Sequence, residues 1–174
     1  MKTYCLKFLL VLMGALLSTK GFGGIKWVDI GVNGLTCSMC TRSVEMSVER
    51  LDFVDSVIMS LEKTEGRVYL KSSKLVDLKQ IARAVSDAGF SVRFLRASFD
   101  FSDVAVGADG TFTYQGQPYI WMGFKEGLAK GDVALKLVDE DFLPRKEGAQ
   151  WKKKIALLAN GADRQKIFHV VRDL

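Results

Sequence analysis

Between Ile25 and Phe94 the apolar residues switch between a period of two and a period of three to four in a fixed order, and that order restricts the fold more than any other feature of the chain. Val28, Ile30 and Val32 alternate as in a half-buried strand, and residues 34–40 interrupt them as a loop. Cys40, Val44, Val48 and Leu51 fall at helical spacing, so a helix over about 38–51 buries that stripe and leaves Arg42, Glu45 and Glu49 to water. Val57, Met59 and Leu61 alternate, as do Val68 and Leu70, and the polar stretch 62–66 between them reads as the turn of an antiparallel hairpin. Leu78, Ile81, Ala82 and Val85 return to helical spacing, with Ser73 as a cap near the start and Gly89 at the end, and Val92 and Phe94 make the last strand. Strand, helix, strand, strand, helix, strand over residues 25–97 is the ferredoxin-like βαββαβ sandwich, an α+β arrangement with both helices on one sheet face.

Past Ala97 the pattern changes. Glycine-containing turns at 107–110, 115–117, 127–131 and 160–161 punctuate short alternating runs, with candidate strands at 99–106, 111–115, 119–123, 132–138, 153–158 and 166–171. A small, mostly β unit over 98–174 is expected, closed as a barrel or stacked as a sandwich, or docked on the first domain to cover its strand edges.

Residues 1–22 open with Lys2 and Lys7, run through apolar residues 8–17, and reach Ser18, Thr19, Lys20 and Gly21, the order of a secretory signal with cleavage between Ser18 and Gly24. The apolar run is shorter than the roughly 20 residues a spanning helix needs, so no stable membrane insertion is expected after cleavage. A periplasmic or secreted protein follows. Removal of Cys5 with that segment leaves Cys37 and Cys40 as the cysteines to be explained.

The formal charge of +5 does not point to nucleic acid. Residues 1–24 carry three lysines and no acid, residues 25–97 eleven basic against nine acidic side chains, and the remainder eleven of each. The sole basic cluster, residues 152–154, has the length of an ordinary solvated face. With one histidine and neither a phosphate loop nor a paired-acid motif, no enzyme machinery is assembled.

The chemistry therefore rests on Cys37 and Cys40. Thiolates are soft ligands for Cu(I), Zn(II) and heavier ions, and two of them three residues apart at a helix start converge on one ion. The unpaired N–H groups and partial positive charge of the helix N-terminus favour the thiolate form, and Thr36 and Ser38 add hydroxyls. Zinc asks for four ligands, and the distant His169 is the one further candidate of the usual kind. Cu(I) accepts two sulfurs, and a site open on one side lets a partner's thiol or thioether take the ion by exchange.

Gly34-Leu35-Thr36-Cys37-Ser38-Met39-Cys40 resembles the Gly-Met-Thr-Cys-x-x-Cys loop of heavy-metal-associated domains, found in copper chaperones and metal-pumping ATPases. The likeness extends to residues 56–62, similar to that family's second strand, and to 87–90, similar to the turn after its second helix, and so covers about 25–97. It implies a metal site at Cys37 and Cys40, with Cys37 the more exposed thiol, Cys40 the more sheltered, and Phe90 shielding the metal side. Leu35 departs from the family's methionine, which packs beneath the loop, and leucine preserves that support. Thr36 favours copper in that resemblance, since zinc-exporting relatives often place an acidic residue beside the cysteines and none stands in this loop. A signal segment ahead of such a domain is also similar to the periplasmic mercury-binding protein, which keeps Hg(II) open; Zn(II) and Cd(II) stay as lesser candidates.

Other readings of the same residues are a thiol-disulfide redox pair, against which the Ser38-Met39 insert and the strand order both stand, a purely structural disulfide, or a degenerate site on a docking module. His169 shares strand parity with Ile167 and Val171 and reads as a core residue; Met39, Met46 and Met122 likewise stay off the ligand set, Met39 because the intervening loop positions of the family point outward. Tyr114, Tyr119, Trp121 and Phe124 read as core-forming aromatics.

Overall fold

The computed structural model describes residues 24–158 and 167–173, so the expected export segment at 1–22 lies outside the described residues. Strand β1 (Trp27–Asn33) buries Val28, Ile30 and Val32 completely and sits between β3 (Glu65–Leu70) and β4 (Ser91–Asp100), antiparallel to both. Strand β2 (Val54–Ser60) pairs with β3 as the expected hairpin and forms one sheet edge. Helix α1 (Ser38–Glu49) buries Val44 and Val48, and helix α2 (Leu78–Asp87) buries Leu78, Ile81, Ala82, Ala84 and Val85. The two helices are stitched together by the Ser47 hydroxyl, which donates to the Ala84 carbonyl at 2.7 Å.

The cap of α2 differs from expectation. Asp77, not Ser73, is the N-cap: its carboxylate accepts from the N–H groups of Lys79 (2.9 Å) and Gln80 (3.3 Å), because it stands immediately before the first helical residue. Replacing Asp77 by alanine is expected to cost about 1 kcal/mol in urea denaturation. Gly89, at φ +89°, ends the helix as read, its N–H donating to Ser86 O and that of Phe90 to Val85 O.

Beyond residue 97 three expectations are corrected. First, β4 does not stop at a domain boundary. It runs on to Asp100, and its second half pairs with β7 (Asp132–Leu137) from Arg96 opposite Lys136 to Asp100 opposite Asp132. Among the described residues neither a barrel nor a separate sandwich forms: β5 (Thr111–Tyr114), β6 (Gln117–Trp121), β7 and β8 (Phe168–Arg172) extend the first sheet into one open sheet of order β2-β3-β1-β4-β7-β8-β6-β5. Docking on the β4 edge satisfies the backbone groups that closure would otherwise have had to cover. Among the described strands β6 and β8 are the pair that runs parallel, so the sheet is mixed.

Second, the strand expected over 99–106 ends at Asp100, and residues 101–110 form a loop. Third, residues 153–158 belong to a helix, α3 (Arg145–Leu158), not a strand. Ile155 is buried and Leu157 is 84% exposed, so the period is that of Trp151 and Ile155, four apart, and Pro144 precedes the first turn, where a missing N–H costs nothing.

Among the described residues the larger apolar core runs from Ile25 to Val170. Its C-terminal part is aromatic: Phe99 meets Tyr114 and Tyr119 edge-on at 5.1 Å and Phe112 at 5.6 Å. Val138 and Val171 point to the other face of the sheet, where Ile155 and Trp151 of α3 cover them in a second, smaller cluster that also takes in Met122.

Candidate metal centre

The loop from β1 to α1 is built by a backbone reversal and a buried foot. Gly34 turns the chain at φ +89°, a conformation that side chains other than glycine rarely adopt. Leu35, 5% exposed, plants the loop in the core at the position where the resemblance implied methionine. Val32 N–H donates to Thr64 O at 2.9 Å and ties the β2–β3 turn to the same end of the sheet.

Cys37 is the N-cap of α1. Its sulfur accepts from Cys40 N–H at 3.2 Å, and its carbonyl accepts from Cys40 and Thr41 N–H at 3.0 and 3.2 Å. The cap and the third helical residue thus present their side chains to one point, with Cα atoms 5.2 Å apart, and here the two sulfurs are joined as a disulfide. Cys37 is exposed and Cys40 half-buried against the core, in the order implied by the resemblance. The Thr36 hydroxyl lies 3.9 Å from Cys40 Sγ. Phe90, half-buried, flanks the loop closely enough that a Cβ on Gly34 would stand 3.6 Å from its ring.

Electrostatically the helix start suits thiolates: the first turn of α1 holds no acidic residue to offset its partial positive charge. Glu45 is engaged elsewhere, with Arg42 at 3.2 Å and the N–H of Met59 at 3.3 Å. Among the described residues no three His, Cys, Asp or Glu side chains are grouped to hold a metal, so the sulfur pair is not joined by a third ligand of those kinds.

The remaining sequence candidates go elsewhere. His169 is 6% exposed, as parity predicted, and the structure brings it to Asp139, which sequence reasoning missed: Nδ1 lies 2.8 Å from Asp139 Oδ1, and the His169 N–H donates to Oδ2 at 2.8 Å. The two are 30 residues apart, and no spacing signals their meeting. Met39 and Met46 project into solvent, 74% and 45% exposed, while Met122 is half-buried under α3. Tyr114, Tyr119 and Trp121 are core residues, with Phe124 packed on Trp121 at 5.3 Å. Burial pushes the Tyr119 hydroxyl well above its ordinary range, so it stays neutral.

A model of the heavy-metal-associated domain matches residues 30–91. The copper chaperone CopZ of Bacillus subtilis is 39% identical over 61 residues, which are 35% of this chain and 87% of that protein. The cation-transporting ATPase HMA5 of rice (Oryza sativa subsp. japonica) is 32% identical over 82 residues, 47% of this chain but 8% of the ATPase, so only a small part of that relative's length is spanned. The mercuric transport protein periplasmic component of Pseudomonas fluorescens is 30% identical over 63 residues, 36% of this chain and 68% of that protein.

Proposed function

The chain belongs to the heavy-metal-associated domain family, and on that premise we propose that it captures and passes on Cu(I) through the reduced sulfurs of Cys37 and Cys40. One observation carries the reading: an exposed sulfur at the helix cap and a sheltered one in the first turn converge beside a loop fixed by Leu35 and flanked by Phe90. An external dithiol reduces the disulfide by exchange, ending as a disulfide itself and leaving two thiols here, and their ionisation, favoured by the helix start, gives a bis-thiolate that suits a low-coordinate soft cation. Cys37, on the solvent side, is the atom at which a partner's thiol or thioether begins the exchange, and Cys40 is the last to let go. The chemistry is binding and transfer with no catalysed bond change, and Hg(II), Zn(II) or Cd(II) would compete for the same sulfurs. The signal-like order of residues 1–22 supports exchange in a periplasm or outside the cell.

In a titration of the fully reduced chain against a chromophoric Cu(I) chelator, one tight equivalent is expected that a Cys37→Ser, Cys40→Ser variant loses. Equal retention by the two proteins would remove the pair from the site. The disulfide favours a second reading, dithiol-disulfide exchange with a substrate protein. That reading requires turnover of a disulfide substrate by the metal-free reduced chain, which the carrier lacks.

A further inference from the structure

The only histidine of the chain has no part in the site above. Its polar contacts lie on one side: the Asp139 carboxylate accepts from the backbone N–H and stands 2.8 Å from Nδ1, an arrangement that suits the tautomer with its proton on Nδ1 and its lone pair on Nε2. Among the described residues no hydrogen bond reaches Nε2. Nor is it sealed from solvent, since the buried side-chain nitrogens and oxygens left without a partner are Nε of Arg93 and Nε of Arg96. Nε2 therefore opens on accessible space, and His169 lines two cavities, one of about 510 Å³ shared with Asp139 and one of about 350 Å³ shared with Ile120 and Ile155.

Met122 lines the smaller cavity. The register brings it there: His169 of β8 is paired with Ile120 of β6, and Met122, two residues farther along, returns to the same face and is held by its N–H on Val170 O at 2.8 Å. Ile155 of α3 forms an apolar wall, and Asp109, an exposed carboxylate whose Oδ1 is occupied by the N–H and hydroxyl of Thr111, stands on the lining and adds negative charge. An imidazole, a thioether and a carboxylate thus line one cavity, and the first two are donor types that suit a soft monovalent cation. Zinc, which asks for four ligands, is poorly served by them.

We infer that His169 Nε2 and Met122 Sδ form a second Cu(I) site, in the cavity between β6, β8 and α3. It owes nothing to the cysteines. Neither donor must lose a proton from sulfur or be kept from forming a disulfide, so this site holds copper in an oxidised chain, where the pair joined at Cys37 and Cys40 offers no thiolate.

The test uses the full chain carrying Cys37→Ser and Cys40→Ser, titrated with Cu(I) against a weak chelator and followed by NMR of the Met122 methyl group and the His169 ring nitrogens. One equivalent is expected to shift both signals together. Met122→Leu, close in volume, is expected to weaken binding by roughly tenfold or more while leaving the thermal midpoint nearly unchanged. Signals that do not move with stoichiometric Cu(I), or equal affinity in the leucine variant, overturn the site and leave Met122 a packing residue. Failure of the cysteine reading looks different: unmutated and cysteine-free chains would bind the same single equivalent.

Discussion

Replacing Phe99 by alanine is expected to cost about 3–5 kcal/mol, among the larger effects of any single truncation in this chain. Phe99 is fully buried and is the hub of the aromatic cluster, in contact with rings from β5 and β6. Its strand is also the seam of the molecule, because β4 pairs with β1 through one half and with β7 through the other. The cavity left by the ring cannot close without drawing β5 and β6 toward β4, and their hydrogen-bonded ladder resists that shift. At this chain length the loss corresponds to a fall in thermal midpoint of roughly 6–20 °C. The cysteine loop, at the opposite end of a strand that extends about 3.3 Å per residue, is expected to keep its affinity for Cu(I) in the fraction still folded. A variant that melts normally would show that the aromatic cluster is not the link between the two halves.

The first half of the fold was legible because its signals are local. Val28, Ile30 and Val32 declare a strand by alternation, Ile81 and Val85 a helix face by spacing, and Gly89 its stop, and the packing of each element agrees with its period. The second half misled where the local signal was ambiguous. Ile155 and Leu157 alternate, yet Leu157 is exposed, and the correct partner of Ile155 is Trp151, visible only if the window is read at a period of four from Pro144. Docking on the first domain is one of several ways to cover an edge, and no sequence signal names β4 and β7 as the strands that meet. Nothing between Arg96 and Asp100 distinguishes a strand paired on one side from one paired on both.

The candidate centre was legible for the same reason as the first helix. Cys37 and Cys40 lie within one turn, so a cap position and a helical phase are enough to place both sulfurs. The His169 environment was not. Parity gave its burial, but its partner Asp139 and its neighbour Met122 come from other elements, and their convergence depends on the order β7-β8-β6, which no periodicity encodes. Sequence patterns reveal sites built on one element; sites assembled by sheet order require the structure.

The second large effect is expected at Gly110. Substitution by alanine should cost at least about 2 kcal/mol and loosen the end of β6. Gly110 has φ +83°, and a Cβ there would collide with the carbonyl oxygen of Trp121, which is backbone and cannot swing aside. Its own groups are already committed, its N–H to Gly107 O and its carbonyl to Trp121 N–H, each at 2.8 Å. Relief therefore requires Trp121, 1% exposed, to move with its strand. Gly116 supplies the control: it has a similar φ of +80° but nothing within 4 Å of a Cβ, so Gly116→Ala carries the conformational cost of about 1 kcal/mol and no collision. The difference between the two variants in urea denaturation isolates the contact. Because Met122 follows Trp121 directly, Gly110→Ala should also weaken Cu(I) binding in the cysteine-free chain, and Gly116→Ala should not. Equal destabilisation by the two alanines would show that the loop over 101–110 yields freely and does not hold β6 in place.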